Sequence, residues 1–207
     1  MTAKETAAKN FLTWIAGNPI LMILGVLILF PFLSPYKALA TQIIIFGLLA
    51  LGFNILYGYT GLLSFGHAAF FGLGAYAAGI LLVRTHCSIW ASIGMGLAVS
   101  TLGAVLLGFL CLRRRGIYFA LLTLAFAQML YYLAVSLKTY GGDDGLRIVR
   151  NTFAGVLDLR QHTTLYYVVW LGLCLGLWLG QRLVHSRFGV VLRGIKENER
   201  RMRALGY

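Results

Sequence analysis

Five long stretches of this 207-residue chain contain no charged side chain. The longest covers residues 38–83, and the others lie between Lys9 and Lys37, Arg84 and Arg113, Arg115 and Lys138, and Arg160 and Arg182. A helix needs about 20 apolar residues to cross the hydrocarbon core of a bilayer, so the longest stretch is long enough for two helices. The sequence therefore predicts six transmembrane helices, at roughly 17–34, 39–57, 61–83, 89–112, 117–137 and 163–182.

The composition agrees with a chain that lies in lipid. Only 12% of the residues are charged and 59% are hydrophobic, whereas a soluble domain carries about 25% charged residues. No stretch shows a strand pattern, and a helix satisfies its own backbone hydrogen bonds without water. We therefore predict an all-α, polytopic integral membrane protein, with residues 1–207 forming one membrane-spanning domain and residues 186–207 a cytoplasmic segment.

Basic residues are distributed unequally between the two ends of the predicted helices. With the N-terminus inside, twelve of them lie on the inner side and six on the outer side. The excess on the inner side predicts that both chain ends are cytoplasmic and that residues 1–10 form a short tail. The net charge of +12 then reflects contact with anionic lipid headgroups, and we do not expect nucleic-acid binding. The inner residues are Lys4, Lys9, Arg113, Arg114, Arg115, Arg182, Arg187, Arg193, Lys196, Arg200, Arg201 and Arg203, and the outer ones are Lys37, Arg84, Lys138, Arg147, Arg150 and Arg160.

The motifs of several enzyme classes are missing from the sequence. It contains no GxxxxGK[ST] loop for ATP and no HExxH zinc motif, and Cys87, Cys111 and Cys174 are too widely spaced for a metal or disulfide framework. All six acidic residues lie outside the predicted spans, which argues against a proton relay through the membrane. We expect a chain that is not an enzyme and binds no cofactor or metal, with any energy for transport supplied by another chain.

The stretch "GLLSFGHAAFFGLGAY", residues 61–76, is rich in glycine and centred on a histidine. Because glycine costs about 1 kcal/mol relative to alanine inside a helix, the cluster predicts a broken or re-entrant helix start. Such a break persists in a membrane only where protein or water covers the backbone. Two interpretations remain open: a tight helix crossing with a neutral, hydrogen-bonded histidine, or a break that lines a transport pathway. The residues assigned to this candidate site are Asn54, Gly61, Ser64, Gly66, His67 and Gly72.

The C-terminal stretch "SRFGVVLRGIKENERRMRALGY", residues 186–207, is strongly basic and carries apolar residues at helical spacing. Glu197 with Arg201, and Glu199 with Arg203, form i, i+4 pairs of the favourable order. Glycine at the start, Gly194, and at the end, Gly206, permits sharp turns. The pattern fits either an amphipathic helix on the bilayer surface or a helix that docks into a partner's groove.

The outer loop between the fifth and sixth predicted helices contains "GGDDGL", residues 141–146. Glycine and aspartate dominate turns, so the first interpretation is a turn. The alternative is that the aspartates meet basic groups of a partner protein, or the ammonium group of a substrate at the outer mouth. The residues concerned are Gly142, Asp143, Asp144 and Gly145.

Four segments together resemble the LivM-type permeases of branched-chain amino acid ABC importers. They are residues 61–76, "GIYFALLTLAFAQM" at 116–129, residues 141–146, and residues 186–207, in the order found in the family. The resemblance implies that 193–206 match the EAA-type loop whose short helix contacts the ATPase subunit. The coupling residues implied are Arg193, Gly194, Lys196, Glu197, Asn198, Glu199, Ala204, Leu205 and Gly206.

The resemblance also implies a bacterial inner-membrane protein that forms part of a pathway for leucine, isoleucine or valine. Its partners would be a homologous second permease, two ATPase subunits that bind ATP, and a periplasmic substrate-binding protein. Family members continue beyond the coupling segment, so we expect this chain to be a fragment or one piece of a split permease. Urea or short-amide importers have similar permeases and remain an alternative, as do a secondary transporter and a non-transporting membrane scaffold.

Overall fold

A computed structural model describes residues 19–33, 36–85, 88–114, 116–146, 152–153, 157–158 and 161–206. The predicted N-terminal tail, residues 1–10, lies outside these ranges. The α-helices are α1 (Pro19–Leu33), α2 (Lys37–Asn54), α3 (His67–Thr85), α4 (Ile89–Cys111), α5 (Ile117–Ser136), α6 (His162–Val184) and α7 (Arg187–Ala204). A π-helical turn, Ile55–Tyr59, continues α2, and two residue pairs, Thr152–Phe153 (β1) and Leu157–Asp158 (β2), form a small antiparallel hairpin.

Within the described ranges, five helical segments are long and apolar enough to span a membrane: Lys37–Tyr59, His67–Arg84, Ile89–Cys111, Ile117–Ser136 and His162–Val184. They confirm the predicted all-α, polytopic membrane fold. The first predicted span, 17–34, corresponds to helix α1. The described part of α1 has 15 residues and is shorter than each of these five segments. The predicted span 61–83 begins too early, because residues 61–66 are not helical and α3 begins at His67.

Helices α1, α2 and α6 pack around one buried cluster. Ala40 and Ile44 of α2 meet Tyr166 and Leu173 of α6 there, and each is at least nine-tenths buried. The Tyr166 hydroxyl donates to the backbone carbonyl of Leu27 in α1 at 2.5 Å. A polar group in an apolar surrounding needs such a partner, so the bond fixes α6 against α1.

Helices α3 and α4 cross at very close range. A methyl group added at Gly96 of α4 would lie 2.7 Å from the carbonyl oxygen of Gly74 and 3.1 Å from Cβ of Ala78, both in α3. The hydroxyl of Ser100 donates to the backbone oxygen of Phe70 at 2.9 Å across the same interface. Small residues thus let two backbones touch, as is usual where lipid supplies no hydrophobic driving force.

The described helix ends fall into two groups. At one end lie the π turn, the break at 61–66, the end of α4, the start of α5, and α7; residues from all five line one cavity or touch one another. We call this the basic end, because the described residues Arg113, Arg114 and Arg182 also belong to it. At the opposite end the Lys37 ammonium donates to Thr163 Oγ1 at 3.1 Å, and the Arg84 guanidinium lies over the ring of Tyr140.

Candidate functional site at the helix break

The helical backbone that begins in α2 stops through a π turn. Wider i→i+5 turns of this kind often occur at functional positions. The hydroxyl of Thr60 donates to the backbone oxygen of Leu56, which satisfies one of the last carbonyls of the helix. The side chain of Asn54 lies over Gly58, where an added Cβ would be 2.5 Å from Asn54 Oδ1. Asn54 is exposed, so its side chain packs on the outer face of the π turn.

Glycine shapes both ends of the break. Gly61 has φ +73°, a left-handed conformation that glycine adopts without strain. At the far end, a Cβ on Gly66 would lie 2.5 Å from the backbone oxygen of Thr123 in α5. The amide of Phe65 donates to Thr123 Oγ1 at 3.2 Å. The break is therefore held against α5 by one hydrogen bond and one backbone contact that only glycine permits.

His67 begins α3 and points back to α2. Its Nε2 atom would lie 3.1 Å from a Cβ on Gly52, and its ring meets the ring of Phe53 edge-on at 6.0 Å between centroids. The histidine thus packs on α2, while the hydrogen bond that the helix-crossing interpretation expects stays a prediction. It also lines a cavity beside the break, so the pathway interpretation stays a prediction.

The cavity has a volume of about 440 Å³ and opens between the π turn, the break, α4, α5 and α7. Its wall is apolar except for a few side chains, among them Ser64, His67 and Thr123. Ser64 is 4% exposed. Cavities of this size with a few converging polar groups are the usual form of small-molecule sites.

Two of the predicted site regions lie elsewhere. Gly72 borders a second, more apolar groove of about 570 Å³ between α3, α4 and α5, where an added Cβ would meet no atom within 4 Å. The 141–146 segment lies at the opposite end from the break and forms short 3₁₀ turns with positive φ at Gly141, Gly142 and Gly145. The turn interpretation of this segment fits these angles, while a role for Asp143 and Asp144 in binding stays a prediction.

Helix α7 starts firmly on the end of α6. The Ser186 hydroxyl accepts from the Gly189 amide at 3.3 Å, which is an N-cap bond. Gly189 is buried so closely against the backbone oxygen of Val184 that no side chain fits. The guanidinium of Arg193 reaches back to the Gly189 and Val184 carbonyl oxygens at 3.4 Å each. Arg193 therefore binds its own chain rather than projecting freely.

The second half of α7 turns away from the first at Asn198, which has φ −159° and ψ 95°. Asn198 Oδ1 accepts from the Arg201 amide at 3.0 Å, so the side chain caps the helical turn that follows. The predicted Glu199–Arg203 pair is present at 2.7 Å. The predicted Glu197–Arg201 pair is wrong for these two described residues, because the kink between them removes the i, i+4 geometry.

Gly194 does not begin the helix, contrary to the expectation from the sequence. It lies within α7, and a Cβ on it would be 2.5 Å from Sδ of Met202. The kink folds the second half back so that Met202 covers Gly194. Gly206 has φ +88° and ends the segment with a left-handed turn, as expected. Lys196 reaches the π turn and the break: its Nζ donates to the backbone oxygen of Gly58 at 2.7 Å, and its stem lies against Gly61.

Thr123 is the main residue of this site that the sequence alone did not single out. It is 7% exposed, its hydroxyl also donates to the backbone oxygen of Ala120 at 2.8 Å, and it accepts from the break. The available signal was a hydroxyl inside an otherwise apolar stretch of α5, "FALLTLAFA". A helical threonine usually bonds its own helix, so that signal does not point to a partner element.

Span-length apolar helices, a glycine-rich connection covered by its neighbours, and an amphipathic helix at the basic end define a multi-pass α-helical membrane protein. The sequence model of the family described as branched-chain amino acid transport system, permease component, matches residues 36–207. The chain belongs to this family.

Two curated relatives are high-affinity branched-chain amino acid transport system permease proteins LivM. The protein from Salmonella typhimurium is 29% identical over 192 residues and that from Escherichia coli 28% identical over 192 residues. In both cases the match covers 81% of this chain and 45% of the relative. The chain thus corresponds to less than half the length of these relatives. No solved structure matches it.

Proposed function

We propose that this chain forms part of the membrane pathway of an ABC importer for branched-chain amino acids. The observation that carries the proposal is the docking of the amphipathic helix α7 at the connection between two candidate spans. Lys196 of α7 bonds Gly58 at the end of the first span, and α7 also lines the cavity beside residues 61–66. Family membership and the function of the two LivM relatives support the substrate class. In this proposal the protein resides in a bacterial inner membrane.

The other subunits of the importer are part of the same proposal and rest on the family resemblance. Any ATP would be bound by two separate ATPase subunits, with α7 receiving their movement through its exposed charged residues, such as Glu197 and Arg200. A homologous second permease would complete the pathway, and a periplasmic binding protein would deliver substrate at the opposite end, near the 141–146 turns. Leucine, isoleucine and valine have apolar side chains that suit the apolar walls of the cavity.

The test is uptake of labelled leucine into proteoliposomes that contain the complex purified with this chain. We expect uptake that requires ATP and survives proton and sodium ionophores. Loss of uptake on adding an ionophore would instead show a secondary transporter. Excess unlabelled isoleucine should compete with leucine, whereas competition by urea alone would place the chain with the amide importers.

A charge reversal on α7 tests the coupling role. Glu197→Lys should lower the leucine transported per ATP hydrolysed while the complex still assembles, because it reverses the charge presented to the ATPase. Lys138→Glu reverses a charge at the opposite end and serves as the matched control. Equal transport ratios for Glu197→Lys and wild type would contradict the assignment of α7 as the coupling helix.

A further inference from the structure

Lys196 links α7 to the helix break by two kinds of contact. Its Nζ atom donates a hydrogen bond of 2.7 Å to the backbone oxygen of Gly58 in the π turn. Its aliphatic stem lies against Gly61, where an added Cβ would be 3.0 Å from Lys196 Cγ. The two residues contacted lie on either side of the end of the π turn at Tyr59.

The end of a helix is a favourable place for this ammonium group. The last carbonyls of a helix have no partner within it, and they carry a partial negative charge. In the last turn here, Leu56 and Tyr57 accept hydrogen bonds from the Thr60 amide, and Tyr57 also accepts from the Gly61 amide. Lys196, from a helix far away in sequence, satisfies the carbonyl of Gly58.

The same helix also borders the cavity beside the break. Phe188 and Leu192 of α7 line the 440 Å³ cavity together with Ser64 and Gly66. The start of α7 is fixed on α6 by the Ser186 cap and by Arg193. The first half of α7 is therefore fixed on α6 while Lys196 contacts the π turn and the break. The cavity beside the break leaves space into which the break can move.

We propose that Lys196 is a positioning residue that holds the helix break against α7, so that a displacement of α7 moves the segment from Gly58 to Ser64. Its ammonium group binds the permease chain itself, in contrast to the ATPase contact that the family resemblance implies for this position. The holding contact is a property of this chain. Only its consequence for transport rests on the proposed function.

The first experiment measures amide hydrogen exchange of the full chain in lipid nanodiscs. Lys196→Met keeps the stem and removes the donor, so exchange in a peptide covering 58–66 should rise by about tenfold, the expected effect of losing a charged hydrogen bond. Lys196→Arg keeps a donor and should stay near wild type. Arg200→Met removes an exposed charge from the same helix and is the matched control.

Exchange at 58–66 that is unchanged in Lys196→Met, or raised equally in Arg200→Met, would overturn the proposal. A peptide covering 89–100 in α4 reports whether the bundle itself is intact, and its exchange should be the same in all variants. If Lys196→Met raises exchange throughout the chain, the contact serves overall stability and the proposal is equally overturned.

The second experiment uses the assembled complex in proteoliposomes. Lys196→Met should lower leucine transported per ATP hydrolysed, and Lys196→Arg should restore it, while complex assembly is unchanged in both. A wild-type complex that transports no leucine refutes the proposed function, yet the exchange experiment still decides the holding contact. Normal transport per ATP in Lys196→Met, with raised exchange at 58–66, refutes the transmission of movement through Lys196.

Discussion

Adding one methyl group at Gly96 tests how closely α3 and α4 are packed. The Cβ of Gly96→Ala would lie 2.7 Å from the Gly74 carbonyl oxygen and 3.1 Å from Cβ of Ala78. Neither is the movable tip of a long side chain, so the two helices must separate. Their separation would also stretch the 2.9 Å bond from Ser100 to the backbone of Phe70.

Gly94→Ala is the matched control, because Gly94 lies on the same helix and an added Cβ there would meet no atom within 4 Å. Both substitutions gain about 1 kcal/mol of helix propensity. Overpacking in a close interface costs about 1–3 kcal/mol, and only Gly96→Ala incurs it. We therefore expect Gly96→Ala to be less stable than Gly94→Ala by about 1–3 kcal/mol.

The free energy of unfolding is measured by titrating the chain with sodium dodecyl sulfate in mixed micelles and following far-ultraviolet circular dichroism. Equal slopes of the unfolding transition show that the two variants unfold over comparable surfaces. A Gly96→Ala chain that is as stable as Gly94→Ala, or more stable, would refute the argument that direct backbone contact holds α3 and α4 together.

Three further predictions use related measurements. Gly72→Leu should leave the free energy of unfolding within about 0.5 kcal/mol of wild type, whereas Gly74→Leu, on the crossing face, should lower it by about 2 kcal/mol; equal losses would contradict the open groove beside Gly72. Thr123→Val should cost about 1–2 kcal/mol in the same titration because it leaves the Phe65 amide without its acceptor, and Thr123→Ser should not. Asn198→Ala should raise amide exchange at 199–204 about fivefold through loss of the cap, while exchange in α4 stays unchanged. Unaltered exchange at 199–204 would show that the cap does not stabilise this helical turn.

Charge spacing predicted most of the membrane architecture because charged residues are expensive within a bilayer. The absence of charge between Arg84 and Arg113 bounded α4, and the same reasoning placed α2, α5 and α6. It did not predict that α6 packs on α2, since helices in lipid are apolar on all faces and no stripe marks the contact.

The sequence indicated the candidate site in part. Glycines and polar residues predicted an interrupted helix start at 61–66, because glycine is costly in a continuous helix. In the structure these residues are a non-helical connection between two candidate spans. The kink at Asn198 left no signal, since apolar residues keep helical spacing on both sides of it. Gly72 and Gly74 lie in different surroundings: the side of α3 that carries Gly72 faces a groove, whereas Gly74 faces α4. Only the tertiary contacts separate these two glycines.

The pairing of helices divides the described part of the chain into two groups, α1 with α2 and α6, and α3 with α4 and α5. Two chain segments connect the groups: the break at 61–66 and the segment that follows α5. Both contain glycines in the left-handed region, among them Gly61 and Gly141. Rotation about these glycine torsions would let each group pivot as a rigid body, with no helical hydrogen bond broken. The ring of His67 lies on Gly52 across the division between the groups. Such a rotation of one group against the other would have to break this contact first.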